Sequence, residues 1–75
     1  MTDLRLRSLL ARCGACLYGE RWQSPLARDL GVSDRSVRAW MAGTRSIPEG
    51  VWGDLRRLLQ ERVIESRGLL GELPD

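Results

Sequence analysis

Gln23-Ser24-Pro25-Leu26-Ala27-Arg28-Asp29-Leu30-Gly31-Val32-Ser33-Asp34-Arg35-Ser36-Val37-Arg38-Ala39-Trp40-Met41-Ala42 decides how this chain folds. The stretch reads as two short helices joined by a sharp corner. Ser24 before Pro25 has the form of a helix start, a hydroxyl to cap free amides followed by a ring pre-set to helical φ. Leu26, Ala27 and Leu30 then make an inner face, with Ala27 small where two helices would cross closely. Gly31 stands where the chain must turn, most simply with positive φ. Val32 plugs the corner. Ser33 caps a second helix, about Asp34 to Ala42, which turns Val37, Trp40 and Met41 inward and leaves Asp34, Arg35, Ser36, Arg38 and Ala39 outside.

Apolar residues at 26, 30, 32, 37 and 40, small Ala27 and turn Gly31 match a helix-turn-helix over 23–42. The stretch resembles the DNA-binding motif of the Cro/phage-repressor type, the Xre-like family. The run Trp40-Met41-Ala42-Gly43-Thr44-Arg45-Ser46-Ile47-Pro48 adds to the likeness, since such proteins often follow the motif with a Gly, a basic residue and a Pro-started helix. The resemblance covers residues 17–60 and implies an all-α, four-helix, lambda-repressor-like domain that binds double-stranded DNA. It places Ser33, Asp34, Arg35 and Ala39 among the base readers in the major groove. Arg21, Gln23, Ser36, Arg38, Thr44 and Arg45 are then suited to the phosphate backbone, helped by the amides at a helix N-terminus. Arg35 is the natural bidentate partner for guanine. Asp34 departs from the family, because an acid repels phosphate; it either accepts from a cytosine amine or stabilises its helix N-terminus.

Charge agrees with that placement. The chain of 75 residues has a formal charge of only +2, so it is no polycation. Residues 21–45 nevertheless carry five Arg against two acids, while 49–75 carry four Arg against six. The positive excess sits on the motif and the far end is acidic, the footprint of a nucleic-acid face on a neutral body. All twelve basic residues are Arg, a bias that a GC-rich genome also produces.

Outside the motif, Leu4 to Tyr18 predicts a first helix. Leu6, Leu9, Leu10, Cys13, Cys16 and Leu17 form its apolar stripe, with Arg5, Arg7 and Arg12 outside it. Leu4, Ala11 and Ala15 lie opposite. Thr2 or Asp3 is placed to cap the start and Gly19 to end it. Cys13-Gly14-Ala15-Cys16 is a C-x-x-C. A structural zinc needs four ligands, and the chain has two Cys and no His. A redox dithiol favours a helix N-terminus, whereas this pair lies deep in an apolar face, so core packing is the expectation for both. Trp22 is expected as a core anchor over the first helix with Tyr18 beside it, stacking on nucleic acid being the alternative.

Ser46-Ile47-Pro48-Glu49 has the S-x-x-E form of a capping box that starts the last helix. Val51, Trp52, Leu55, Leu58, Leu59 and Val63 spread over roughly 140° at 100° per residue, broader than one core contact needs. Leu69, Leu70 and Leu73 return in phase beyond Gly68. Either the helix continues past Gly68 and Gly71 or a leucine-bearing tail folds back, covering its own core or leaving apolar surface for a partner.

A domain this small sits near the lower limit for a self-sufficient core. One helix-turn-helix also reads few base pairs. A homodimer through 47–75, using Leu58, Val63, Leu69, Leu70 and Leu73 and binding an inverted repeat, answers both needs. The expected function is therefore a sequence-specific transcriptional regulator, a dimeric repressor acting by occupancy. The alternative is a protein-binding module, an inhibitor or antitoxin that reuses the fold. No catalytic residues, metal, cofactor or small-molecule ligand are expected. Arginines in 5–12 interrupt any signal-like apolar run and nothing approaches a membrane span, so the expected location is the cytoplasm.

Overall fold

A computed structural model describes residues 4–75. Four helices account for most of them: α1 (Leu4–Tyr18), α2 (Gln23–Leu30), α3 (Asp34–Ala42) and α4 (Glu49–Glu72). Among the described residues there is no strand, and the fold is all-α. The expected caps at Thr2 or Asp3 lie outside these residues.

The helix ends follow from backbone chemistry. Gly31 takes φ 73 after α2, and its amide and that of Val32 turn back to the carbonyls of Arg28 and Ala27 at 3.2 and 2.9 Å. These bonds satisfy acceptors that the helix leaves open. Gly43 ends α3 in the same way, with φ 79 and the Gly43 and Thr44 amides on Trp40 and Ala39. A residue with a Cβ would be strained at either turn.

Two expected starts are corrected. Helix α2 begins at Gln23 with Trp22 as its boundary residue, and Ser24 makes no capping bond. Ser24 and Pro25 already lie inside the first turn, where the missing Pro N–H leaves no helical bond unmade. Helix α4 begins at Glu49 after an extended Pro48, again without a side-chain cap, so Ser46 and Glu49 form no capping box. The Val51 amide is satisfied by the Pro48 carbonyl at 3.1 Å instead.

The core joins all four helices and the α1–α2 connector: Leu10 and Leu17, Trp22, Leu26 and Ala27, Val37 and Trp40, Val51 and Leu55. Its tightest point is Gly14. A Cβ there would meet the Trp22 ring at 2.2 Å from Cε3, so the absent side chain is what lets Trp22 lie flat on α1. Trp22 is thus a core anchor, as the sequence suggests. Gly14 is the part of the C-x-x-C that matters to packing.

Three members of the expected α1 pattern behave differently. Leu9 and Cys16 are exposed and only Cys13 of the pair packs on the core, half-buried. They stand at the edge of a stripe wider than α2 to α4 can cover. Arg7, expected outside, is half-buried and its Nη1 donates to the Met41 carbonyl at 3.1 Å. A guanidinium at the C-terminal end of α3 meets open carbonyls and the negative pole of the helix dipole, which explains why a charge is drawn in.

The choice left open at Gly68 resolves toward a continuous helix. Helix α4 runs 24 residues to Glu72, about 36 Å at 1.5 Å per residue. Residues from Gln60 onward are all exposed. The molecule is correspondingly long, 48 × 19 × 18 Å. Only the first half of α4 packs against α1. Arg62 marks the limit, donating from Nη1 to the Leu17 carbonyl at 2.8 Å, where α1 ends.

Candidate nucleic-acid interface

Helices α2 and α3 pack on each other through Leu26, Ala27, Val37 and Trp40, all 2% exposed or less. That pair holds the outer face of α3 in place. Ser33 adopts extended backbone, and its Oγ accepts from the Ser36 amide at 3.1 Å, the N-cap expected from sequence. The Ser36 hydroxyl lies 3.1 Å from the Ser33 hydroxyl, so both oxygens are engaged locally.

Asp34 is the first residue of α3, and its Oδ2 accepts from Ser24 Oγ at 2.9 Å. The hydroxyl assigned to capping α2 instead pins the first turn of α3 to the start of α2. The pairing was not legible in sequence, since it joins residues ten apart across the corner. Asp34 is also where a carboxylate favours the positive end of the helix. Arg35 and Arg38 are exposed on the outer side, and neither is ion-paired among the described residues. Ala39 is half-buried beside them.

The loop after α3 closes the same face. Thr44 Oγ1 donates to the Ala39 carbonyl at 3.2 Å, joining the Thr44 and Arg45 amides on that oxygen. Arg45 is exposed from this fixed loop. At the other end, an open cleft of about 520 Å³ is lined by Glu20, Arg21, Trp22, Gln23, Ser24 and Pro25. Arg21 and Gln23 do stand together at the α2 N-terminus, but Glu20 shares the cleft and offsets the Arg21 charge. Arg7 is the contributor that periodicity missed: it acts from behind, on the C-terminal end of α3.

On the opposite side of α2, Tyr18 Oη donates to Asp29 Oδ2 at 2.5 Å. Burial, and then this bond to a carboxylate, push the Tyr18 hydroxyl up to about 12. Both acids of residues 21–45 are therefore held by hydroxyls, Asp29 by Tyr18 and Asp34 by Ser24. All five arginines of that segment are exposed.

The cysteines carry no comparable preparation. Burial pushes the Cys13 thiol above its ordinary value and Cys16 adds to the rise, with Arg12 opposing. An activated thiolate requires the reverse. Among the described residues, no three His, Cys, Asp or Glu side chains gather to hold a metal. No helix there is long and apolar enough to cross a membrane.

Of the residues expected to pair two copies, Leu58 packs half-buried against the core. Val63, Leu69, Leu70 and Leu73 are exposed along the free half of α4. No known family model matches the chain, and neither a curated protein nor a solved structure is significantly similar to it.

Proposed function

We propose that the protein is a sequence-specific DNA-binding regulator of the helix-turn-helix class, with a lambda-repressor-like fold, and that α3 is its reading helix. The observation that carries this is the face built by α3 and its flanks. Arg35 and Arg38 project from a helix braced at its first turn by Ser24, at its C-terminal end by Arg7, and from below by Val37 and Trp40. Rigid presentation of guanidinium groups is what phosphate and guanine recognition needs, since conformational freedom lost on binding weakens it. Arg35 reads a base, and Arg38 and Arg45 take the backbone.

Such a face is sufficient to regulate by occupancy, excluding polymerase from the site it covers. It performs no catalysis and needs no cofactor. Charge supports the orientation: the acidic excess of 49–75 stays away from phosphate.

The test is a salt titration of binding to random duplex and to the DNA upstream of the protein's own gene. Arg38→Ala should weaken both and lower the salt slope by about 1, the loss of one phosphate contact. Arg35→Ala should cost about 1–3 kcal/mol on the footprinted site and relax one base position. No affinity for either duplex at low salt would overturn the reading and leave the protein-binding module in its place.

A further inference from the structure

We infer that the free half of α4 is a self-complementary surface whose occupant is a second copy of the same helix, packed antiparallel about a two-fold axis at Ser66. Four large apolar side chains stand on one side of it, Val63, Leu69, Leu70 and Leu73, at 49, 55, 69 and 62% exposure. Together they offer on the order of 400 Å² of apolar surface, about where a patch on a monomer marks an interaction site. They continue the stripe that Leu55 and Leu59 bury higher up, so the surface is a core face without its core.

The spacing along that stripe is symmetric. Leu59 and Leu73 lie seven residues before and after Ser66; Arg62 and Val63 lie four and three before it, Leu69 and Leu70 three and four after. An antiparallel copy centred on Ser66 therefore sets Leu59 beside the second Leu73 and Val63 beside the second Leu69. The small Ser66 sits where the helices approach closest. A two-fold interface requires such a self-matching patch.

Three further observations select this arrangement. A groove of about 310 Å³ beside the stripe is lined by Cys16, Leu59, Arg62, Val63, Ser66 and Arg67. It lies beside the last turn of α1, at the level that Leu73 of the second copy reaches. Second, α1 already occupies the space beside α4 down to Arg62. A parallel copy would bring its whole body alongside it, whereas an antiparallel one passes Arg62 with its residues 71–75 alone. Third, antiparallel helices bring like edges together, and at 100° per residue Arg62 lies on the same side of the stripe's midline as Glu65 and Glu72, about 60° and 80° from them. Arg62 of each copy thus faces the acidic edge of the other. The stripe supplies roughly half of the 800 Å² per partner in a standard interface, and the walls of the groove add to it.

The assembly is tested without DNA, so its failure is separate from failure of the reading of α3. Light scattering and sedimentation at tens of micromolar should give a dimer. Leu70→Glu should raise the dissociation constant at least tenfold while keeping the helical spectrum and melting of the body, which Leu70 does not touch. Geometry is read by Leu73→Cys in the otherwise native chain. Mild oxidation should yield a covalent dimer joined from Cys16 of one copy to the introduced thiol of the other, lost again with Cys16→Ser. A monomer at these concentrations, a dimer indifferent to Leu70→Glu, or a link between the two introduced thiols, which marks a parallel pair, would each overturn the inference. In the DNA-binding reading, which this consequence rests on, the two-fold presents two α3 helices to an inverted repeat.

Discussion

Replacing Gly14 by Ala separates tertiary packing from helix propensity, because the two act in opposite directions. In an isolated helix the change is favourable by about 1 kcal/mol. In this fold the new methyl would stand 2.2, 2.4 and 2.9 Å from Cε3, Cδ2 and Cγ of Trp22. The obstacle is a rigid indole that is only 8% exposed and belongs to the core, not the end of a flexible chain. Relieving it requires α1 and the Trp22 ring to part by about 1 Å or more. Overpacking of this kind costs about 1–3 kcal/mol, here the upper end. The net effect is a loss of about 2 kcal/mol, or a drop of about 8–16 °C in the melting midpoint of a domain this size. The assay is thermal unfolding by circular dichroism, with Gly53→Ala as the companion. Gly53 is an exposed helical glycine with nothing near its Cβ position, so that change should raise the midpoint by about 4–8 °C. A Gly14→Ala protein melting at or above the parent would refute the packing of Trp22 on α1.

Trp40→Ala empties a site at the junction of α2 and α3 and should cost about 3–5 kcal/mol in denaturant unfolding. That is enough to leave most of the chain unfolded at 37 °C. Tyr18, the single tyrosine of the chain, should titrate by absorbance near pH 12 in the folded protein. Its proton is held more tightly folded than unfolded, so its contribution is whole below about pH 10 and disappears as pH rises toward 12. Tyr18→Phe should flatten the fall in stability over that window. Arg7→Ala should lower the midpoint and weaken DNA binding together, since it frees the C-terminal end of α3; nuclear magnetic resonance shifts confined to Met41–Arg45 would locate the effect.

The sequence alone determined a good deal, for reasons that are local. Positive φ at the corners is affordable only to glycine, so Gly19, Gly31 and Gly43 mark three helix ends before any tertiary contact is known. Periodicity placed α1 as far as Tyr18 and α3 over about Asp34 to Ala42, and found Leu10, Leu17, Leu26, Val37, Trp40 and Leu55 as core. The Ser33 cap was legible because its partner is three residues away.

What depends on distant partners was not legible. Ser24 has the form of a cap, but α2 already begins at Gln23, and only the fold brings Asp34 to where the Ser24 hydroxyl can donate to it. Ser46 and Glu49 form no box because Pro48 sets the entry to α4 by itself. Arg7 reads as solvated until the open end of α3 is laid beside it. Nothing in the C-x-x-C marks Gly14 as a packing position until Trp22 is laid over it. Hydrophobic spacing also cannot say how far a neighbour extends. The stripe of α4 is equally apolar at Leu55 and Leu69, yet one is core and the other open, because α1 stops at Tyr18 while α4 continues to Glu72.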